Sequence, residues 1–195
     1  DATTFHKTIE QALQLANQDR LVTFGITPTS PETGYGYIHT GKALVVGHEI
    51  QGFKEKPEAD TAQKYIESGN YLWNSGMFMF KASVFLKELQ RLCPQLLTDC
   101  KAALAATKPD PYFIQIPQEE FSQCQSESID YAVMEHTDKG AVVALDAGWS
   151  DLGSWASIYE SGLMDENANR ITGDVLTHKT TNSLIQSNHR LVATV

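Results

Sequence analysis

Apolar positions in the first sixteen residues recur at spacings of three and four: Phe5, Ile9, Ala12, Leu13 and Ala16. That period predicts an amphipathic helix with Thr3 or Thr4 as its cap. The pattern then changes. Leu21 to Ile26 is a short apolar run containing β-branched residues, which predicts a buried strand. Helix followed at once by buried strand is the rhythm of a layered α/β fold. With no strand ahead of that helix, the chain is expected to enter in the middle of a βαβ unit, its true N-terminus missing.

Further on, Tyr35 to Ile38 and Leu44 to Val46 flank the turn residues Thr40-Gly41-Lys42 and predict a hairpin. Asp60 is the expected cap of a short helix that carries Ala62, Tyr65 and Ile66 inward and stops at Gly69. Gly76 to Phe80 reads as a strand. Ser83 opens a helix through Leu92, and Pro94 opens another through Leu104. Pro109, Pro111 and Pro117 constrain the next connection, with a brief strand expected at Phe113 to Ile116. Ser128 to Glu135 predicts a capped helix, and Ala141 to Leu145 a strand leading into Gly148 to Trp155. After Gly162 the character shifts to short β-type stretches at Asp174 to Leu176, Ser183 to Gln186 and Leu191 to Val195. The expected division is therefore 1–162, an α/β part, and 163–195, a linker and the start of a β module.

Composition narrows the partners. The 195 residues are 42% hydrophobic and 20% charged, enough to bury a sizeable core. Fifteen basic against 24 acidic residues give a net charge of −9, so no overall attraction draws the chain to nucleic acid or anionic lipid. No apolar run approaches the roughly 20 residues that a membrane-crossing helix needs. Cys93, Cys100 and Cys124 lie in no CxxC or Cys/His cluster; they read as three reduced thiols and favour the cytoplasm.

Three separated segments carry the candidate chemistry: Phe53-Lys54-Glu55-Lys56-Pro57, Trp73-Asn74-Ser75-Gly76-Met77-Phe78 and Gly148-Trp149-Ser150-Asp151-Leu152-Gly153-Ser154-Trp155. Each sets charged or amide side chains beside Gly, Pro or Trp at the edge of an apolar run, as expected where strands deliver polar groups into a pocket. Lys56 suits a phosphate, Glu55 and Asn74 suit hydroxyls, and Asp151 suits a hard divalent cation. Together they suggest recognition of a phosphorylated sugar. No Ser/His/Asp or Cys/His arrangement asks for covalent catalysis.

These segments, with Glu32 to Ile38 and Ser128 to Glu135, occur in an order that resembles the bacterial mannose-1-phosphate guanylyltransferases, also called GDP-mannose pyrophosphorylases. The likeness runs from Asp1 to about Glu160. It implies a Rossmann-like mixed sheet flanked by helices, present here in part. It also implies a homo-oligomeric cytoplasmic enzyme that joins GTP and mannose 1-phosphate into GDP-mannose and pyrophosphate with Mg2+. By the same resemblance Gly36 and Gly76 allow close approach of the sugar, Glu55 grips its hydroxyls and Asn74 faces it. Lys56 meets its phosphate, and Asp151 binds the magnesium. Trp149 and Trp155 are expected to pack and stiffen their loop, and Asp130 to be a structural helix residue. The glycine-rich loop followed by Arg and Pro that cradles the nucleotide in this family is absent from these residues, and so is its earlier metal-binding aspartate. The chain alone is thus expected to be inactive, with an unpaired sheet edge or an exposed apolar face that favours self-association. A non-catalytic sugar-phosphate-binding or assembly module is the alternative.

Overall fold

The computed structural model describes residues 1–108 and 110–195; Pro109, one of the three prolines of the constrained connection, lies outside them. The chain divides into two compact units, Asp1–Trp149 and Ser150–Val195.

In the first unit, helix α1 (Ala2–Asn17) is capped by Asp1, whose carboxylate accepts from the backbone of Thr3 at 2.9 Å and Thr4 at 3.2 Å. The threonines are thus the recipients of the cap, and the aspartate satisfies the orphan N–H groups of the first turn. Strands β1 (Leu21–Ile26), β2 (Gly36–Ala43), β3 (His48–Glu55), β4 (Tyr71–Met79) and β5 (Gly140–Ala144) form one mixed sheet. Its order is β1-β4-β2-β3-β5, and β5 returns to lie parallel to β1, closing the ring. Among the described residues this sheet therefore has no unpaired edge strand, contrary to the first of the two expected exposures. Short antiparallel pairing of His48 and Glu49 with Val142 and Ala141 joins β3 to β5.

Helices cover both faces of this sheet. On one, Ala12, Leu15 and Ala16 of α1 pack with Val22, Phe24, Ala141 and Val143. On the other, Leu21 meets Val84 and Leu89 of α3 (Ala82–Leu92), Leu97 of α4 (Pro94–Ala105) and Ala132 to Met134. Each fully buried aliphatic side chain stabilises by about 1.5–3 kcal/mol relative to exposure, so both layers hold the sheet. A third cluster seats Ala62 of α2 (Ala59–Ser68) on Tyr37 and Trp73. Gly69 ends α2 in the left-handed conformation, φ +70°, as predicted. Glu58, not Asp60, holds its N-cap position; Asp60 lies in the first turn.

The hairpin is longer than its sequence pattern predicts. Thr40, Gly41 and Lys42 belong to β2, and Leu44 to Val46 form the turn. Gly47 supplies the positive φ of +66° that reverses the chain, and its carbonyl accepts from Leu44 N–H at 3.0 Å. Leu44 and Val46 pack inward from this turn, whereas Val45 is exposed. Between Lys108 and Gln115 there is one isolated bridge instead of a strand at Phe113 to Ile116. Ser128 to Glu135 holds a π-helical turn, Asp130–Met134, the geometry that appears as single turns at functional sites.

The second unit contains helix α6 (Trp155–Glu160), following the short α5 (Gln118–Phe121) of the first unit, and four three-residue strands. Strand β6 (Arg170–Thr172) pairs in parallel with β8 (Leu184–Gln186), and β7 (Val175–Thr177) with β9 (Val192–Thr194).

Candidate functional site

Register across the hairpin places Gly36 opposite Glu55. The neighbouring pair Tyr37 and Trp73 ties β2 to β4 and brings Asn74 beside Gly36. A Cβ at position 36 would meet Glu55 Oε2 directly and would come within 3.2 Å of Asn74 Cβ. Three predicted residues, 36, 55 and 74, thus converge on one spot from three strands.

Asn74 is aimed by a β-bulge. Thr23 pairs with Phe78, but Gly25 pairs with Asn74, so β4 spends extra residues between them. Gly76 sits in that bulge with φ +73°, and apart from its chain neighbours nothing among the described residues lies within 4 Å of the position its Cβ would take. Backbone conformation is what this glycine supplies to the fold. The Asn74 side chain is buried and held on both ends. Its Oδ1 accepts from Thr23 Oγ1 at 2.7 Å and from Gly76 N–H at 3.3 Å, while its Nδ2 donates to Asp130 Oδ1 at 2.9 Å.

Glu55 is half of an uneven pair. Its side chain is 11% exposed, and Lys56, 59% exposed, places Nζ 3.3 Å from Glu55 Oε1. Oε2 is buried without a hydrogen-bond partner among the described residues. Burial, then the Asp130 charge, pushes the Glu55 carboxyl above its usual range, only partly opposed by Lys56. An acceptor left unsatisfied in a buried position is costly, so Oε2 calls for a donor from outside the protein, a water or a ligand hydroxyl. The Glu55 backbone N–H donates to Glu135 Oε1 at 3.1 Å, anchoring the strand end to the π-helical segment.

Lys56 itself has φ +46°, an unusual conformation for a side-chain-bearing residue, held by its N–H donating to Tyr35 O at 3.2 Å. Tyr35 packs edge-on with two indoles, Trp73 with centroids 5.1 Å apart and Trp149 at 5.8 Å. This aromatic row stiffens the turn that presents the ammonium. Trp149 therefore packs as expected. Trp155 does not: it is 71% exposed.

Asp151 lies in the second unit, exposed, with its carboxylate 3.3 Å from the position a Cβ on Gly153 would take. Among the described residues no group of three or more His, Cys, Asp or Glu side chains is poised to hold a metal ion. A single carboxylate still suits magnesium, which keeps several waters and binds through one or two carboxylates together with substrate phosphates. Calcium-like cages with many protein oxygens would need more.

The site contains three residues that sequence reasoning did not assign to it: Thr23, Asp130 and Glu135. Asp130 and Glu135 both fall in the Ser128 to Glu135 motif, and their two carboxylates spaced five apart were the available signal. An apolar cavity of about 590 Å3, lined by Phe85, Leu89, Cys100, Phe121, Cys124 and Val133 among others, is separate from these groups. Cys93, Cys100 and Cys124 are free thiols. Among the described residues no helix is long and apolar enough to cross a membrane.

Comparison with known proteins bears on this geometry. Residues 2–168 match the family described as nucleotidyl transferase. Mannose-1-phosphate guanylyltransferases of Escherichia coli K12 and Klebsiella pneumoniae are each 46% identical, over 200 and 195 residues. The alignments cover 100% and 98% of this chain but 42% and 41% of those proteins, so the chain spans about two fifths of the length of the relatives it matches. Among solved structures, one titled mannose-1-phosphate geranyltransferase, from Thermus thermophilus, superposes with a TM-score of 0.83. It is 28% identical, over 99% of this chain and 56% of that one. One titled mannose-6-phosphate isomerase from Helicobacter pylori gives 0.72 at 34% identity, over 77% of this chain and 59% of that one.

Proposed function

Because the chain belongs to the nucleotidyl transferase family, we propose that it forms the sugar-phosphate part of a cytoplasmic enzyme making GDP-mannose from GTP and mannose 1-phosphate. The observation that carries this reading is the convergence of Glu55 and Asn74 on Gly36, with the Lys56 ammonium at the rim. The buried, unpartnered Oε2 of Glu55 accepts from sugar hydroxyls, and Gly36, having no side chain, leaves that carboxylate its place. The remaining N–H of Asn74 donates to a sugar oxygen. Lys56 meets the phosphate as a point charge.

In the reaction a phosphate oxygen of mannose 1-phosphate attacks the α-phosphorus of GTP in line. The new P–O bond forms as the bond to the β,γ-diphosphate breaks, and pyrophosphate leaves with that electron pair. No side-chain nucleophile is required, so the protein contributes position and charge complementarity. Asp151 is the residue of this chain that would hold magnesium, which supplies charge neutralisation at the phosphates when bound. No segment of these residues carries a glycine-rich loop with Arg and Pro for the triphosphate. The 195 residues therefore bind mannose 1-phosphate but do not release pyrophosphate alone.

The test is an assay of pyrophosphate release from GTP with mannose 1-phosphate and magnesium, beside equilibrium binding of mannose 1-phosphate. Binding without turnover is expected of these residues. Turnover by them alone would overturn the division of labour, and absence of binding would overturn the sugar-phosphate reading.

A further inference from the structure

Asn74 is the best-connected polar side chain in the candidate site, and its connections are directional. An amide can stand in either of two orientations that have nearly the same shape, and its partners decide which one holds. Gly76 N–H is a donor only, so it must face Oδ1, at 3.3 Å. Asp130 carries a carboxylate, which accepts, so Nδ2 must face it, at 2.9 Å. Thr23 Oγ1, 2.7 Å from Oδ1 and 3.0 Å from Met77 O, completes the carbonyl side. The carbonyl oxygen is thereby consumed inside the protein. What Asn74 has left to offer, beside Gly36 and across from the Glu55 carboxylate, is one N–H.

From this, and resting on the functional reading above, we infer that Asp130 is a positioning residue that locks the Asn74 amide so that the site presents a donor at 74 against an acceptor at Glu55. The ligand class this selects is a sugar phosphate that offers an acceptor oxygen to 74 while donating a hydroxyl proton to 55. Asp130 does not touch the ligand in this account. It acts through Asn74, from a π-helical turn whose other end, Glu135, fixes the backbone of Glu55 at 3.1 Å. One short segment therefore orients both recognition groups.

The swap of the pair separates positioning from simple structural support. In the double variant Asn74→Asp/Asp130→Asn the hydrogen bond between 74 and 130 is retained with its direction reversed. The carboxylate at 74 still accepts from Thr23 and Gly76, and the net charge is unchanged. Only the donor toward the ligand is gone. We expect the swapped protein to melt with the parent but to bind mannose 1-phosphate roughly tenfold or more weakly, the loss of about one hydrogen bond. Asp130→Ala should weaken binding by a similar roughly tenfold factor, since the unlocked amide no longer holds its donor in place.

In the ligand-free protein, nuclear magnetic resonance of the Asn74 side-chain amide gives a second, independent readout. One of its two protons should be protected from exchange in the parent, and that protection should vanish in Asp130→Ala. A swapped protein that binds mannose 1-phosphate as the parent does would overturn the inference, as would amide exchange indifferent to Asp130. A parent that binds no mannose 1-phosphate would instead overturn the functional reading, while the exchange measurement judges the lock on its own.

Discussion

Gly36 and Glu55 face each other across the β2–β3 ladder, and the glycine has no side chain because the glutamate's Oε2 already occupies the place a Cβ would take. The obstructing atom is the end of a flexible side chain, so Gly36→Ala is expected to fold and to push the Glu55 carboxylate aside. Affinity for mannose 1-phosphate should fall roughly tenfold for the displaced hydrogen bond, while the melting temperature changes little. Calorimetric titration and a thermal melt of the same sample check both halves. Unchanged affinity would mean that Glu55 does not grip the sugar.

Glu55 also has a signature in stability. Its folded-state carboxyl titrates above the usual range, through burial first and the Asp130 charge second. Between the unfolded and folded values the native protein holds more protons than the unfolded chain, so stability falls as pH rises through that window. Above it the full penalty of a buried charge is present. Glu55→Gln should therefore raise the melting temperature at neutral pH, and the gain should disappear below the ordinary carboxylate range, while mannose 1-phosphate binding is lost. A gain that is the same at every pH would point to packing instead.

Glu88 runs the opposite way. It is 3% exposed and receives Arg91 at 2.6 Å and Thr137 at 2.7 Å, with Lys139 Nζ at 3.6 Å. The Arg91 hydrogen bond, against the cost of burial, holds its carboxyl below the usual range. Its contribution is present above the unfolded value and is lost as pH falls through the folded one. Glu88→Gln keeps the shape, and because Arg91 is half exposed the expected cost is about 1–3 kcal/mol at neutral pH. Denaturant unfolding at neutral and acidic pH measures it; the cost should shrink in acid.

Asp151→Asn removes one negative charge and little shape. In the complete guanylyltransferase proposed above, the variant should need far more magnesium for half-maximal rate and turn over more slowly, with its melt unchanged. Superimposable magnesium titrations of variant and parent would reduce Asp151 to a turn residue before Gly153.

Much of this architecture is legible in the residues, and the exceptions have physical causes. Leu21 to Ile26 reads as a strand because it is covered from both faces, by α1 on one side and by α3 and α4 on the other. The hairpin turn was hidden because Leu44, Val45 and Val46 look like strand residues, while the conformation that reverses the chain belongs to Gly47. At the site, Glu55 and Lys56 are adjacent in the chain, and their pairing needs no tertiary knowledge. Asp130 is different. A carboxylate near a helix start is ordinary, and nothing in local spacing reveals a partner 56 residues away. That partnership depends on the β4 bulge, which Gly76 permits but does not announce.

Lys56 gives the most direct measurement of the central claim, that β2, β3 and β4 build a sugar-phosphate site. Its exposed ammonium stands 3.3 Å from Glu55 on a turn tied to Tyr35, so Lys56→Ala removes charge without disturbing the core. Titration of mannose 1-phosphate into parent and variant should show saturable binding by the parent and a loss of roughly ten- to a hundredfold in the variant, the worth of a hydrogen bond to a charged group. The same titration with mannose should show no such difference. Equal affinity of parent and Lys56→Ala for mannose 1-phosphate would contradict the account.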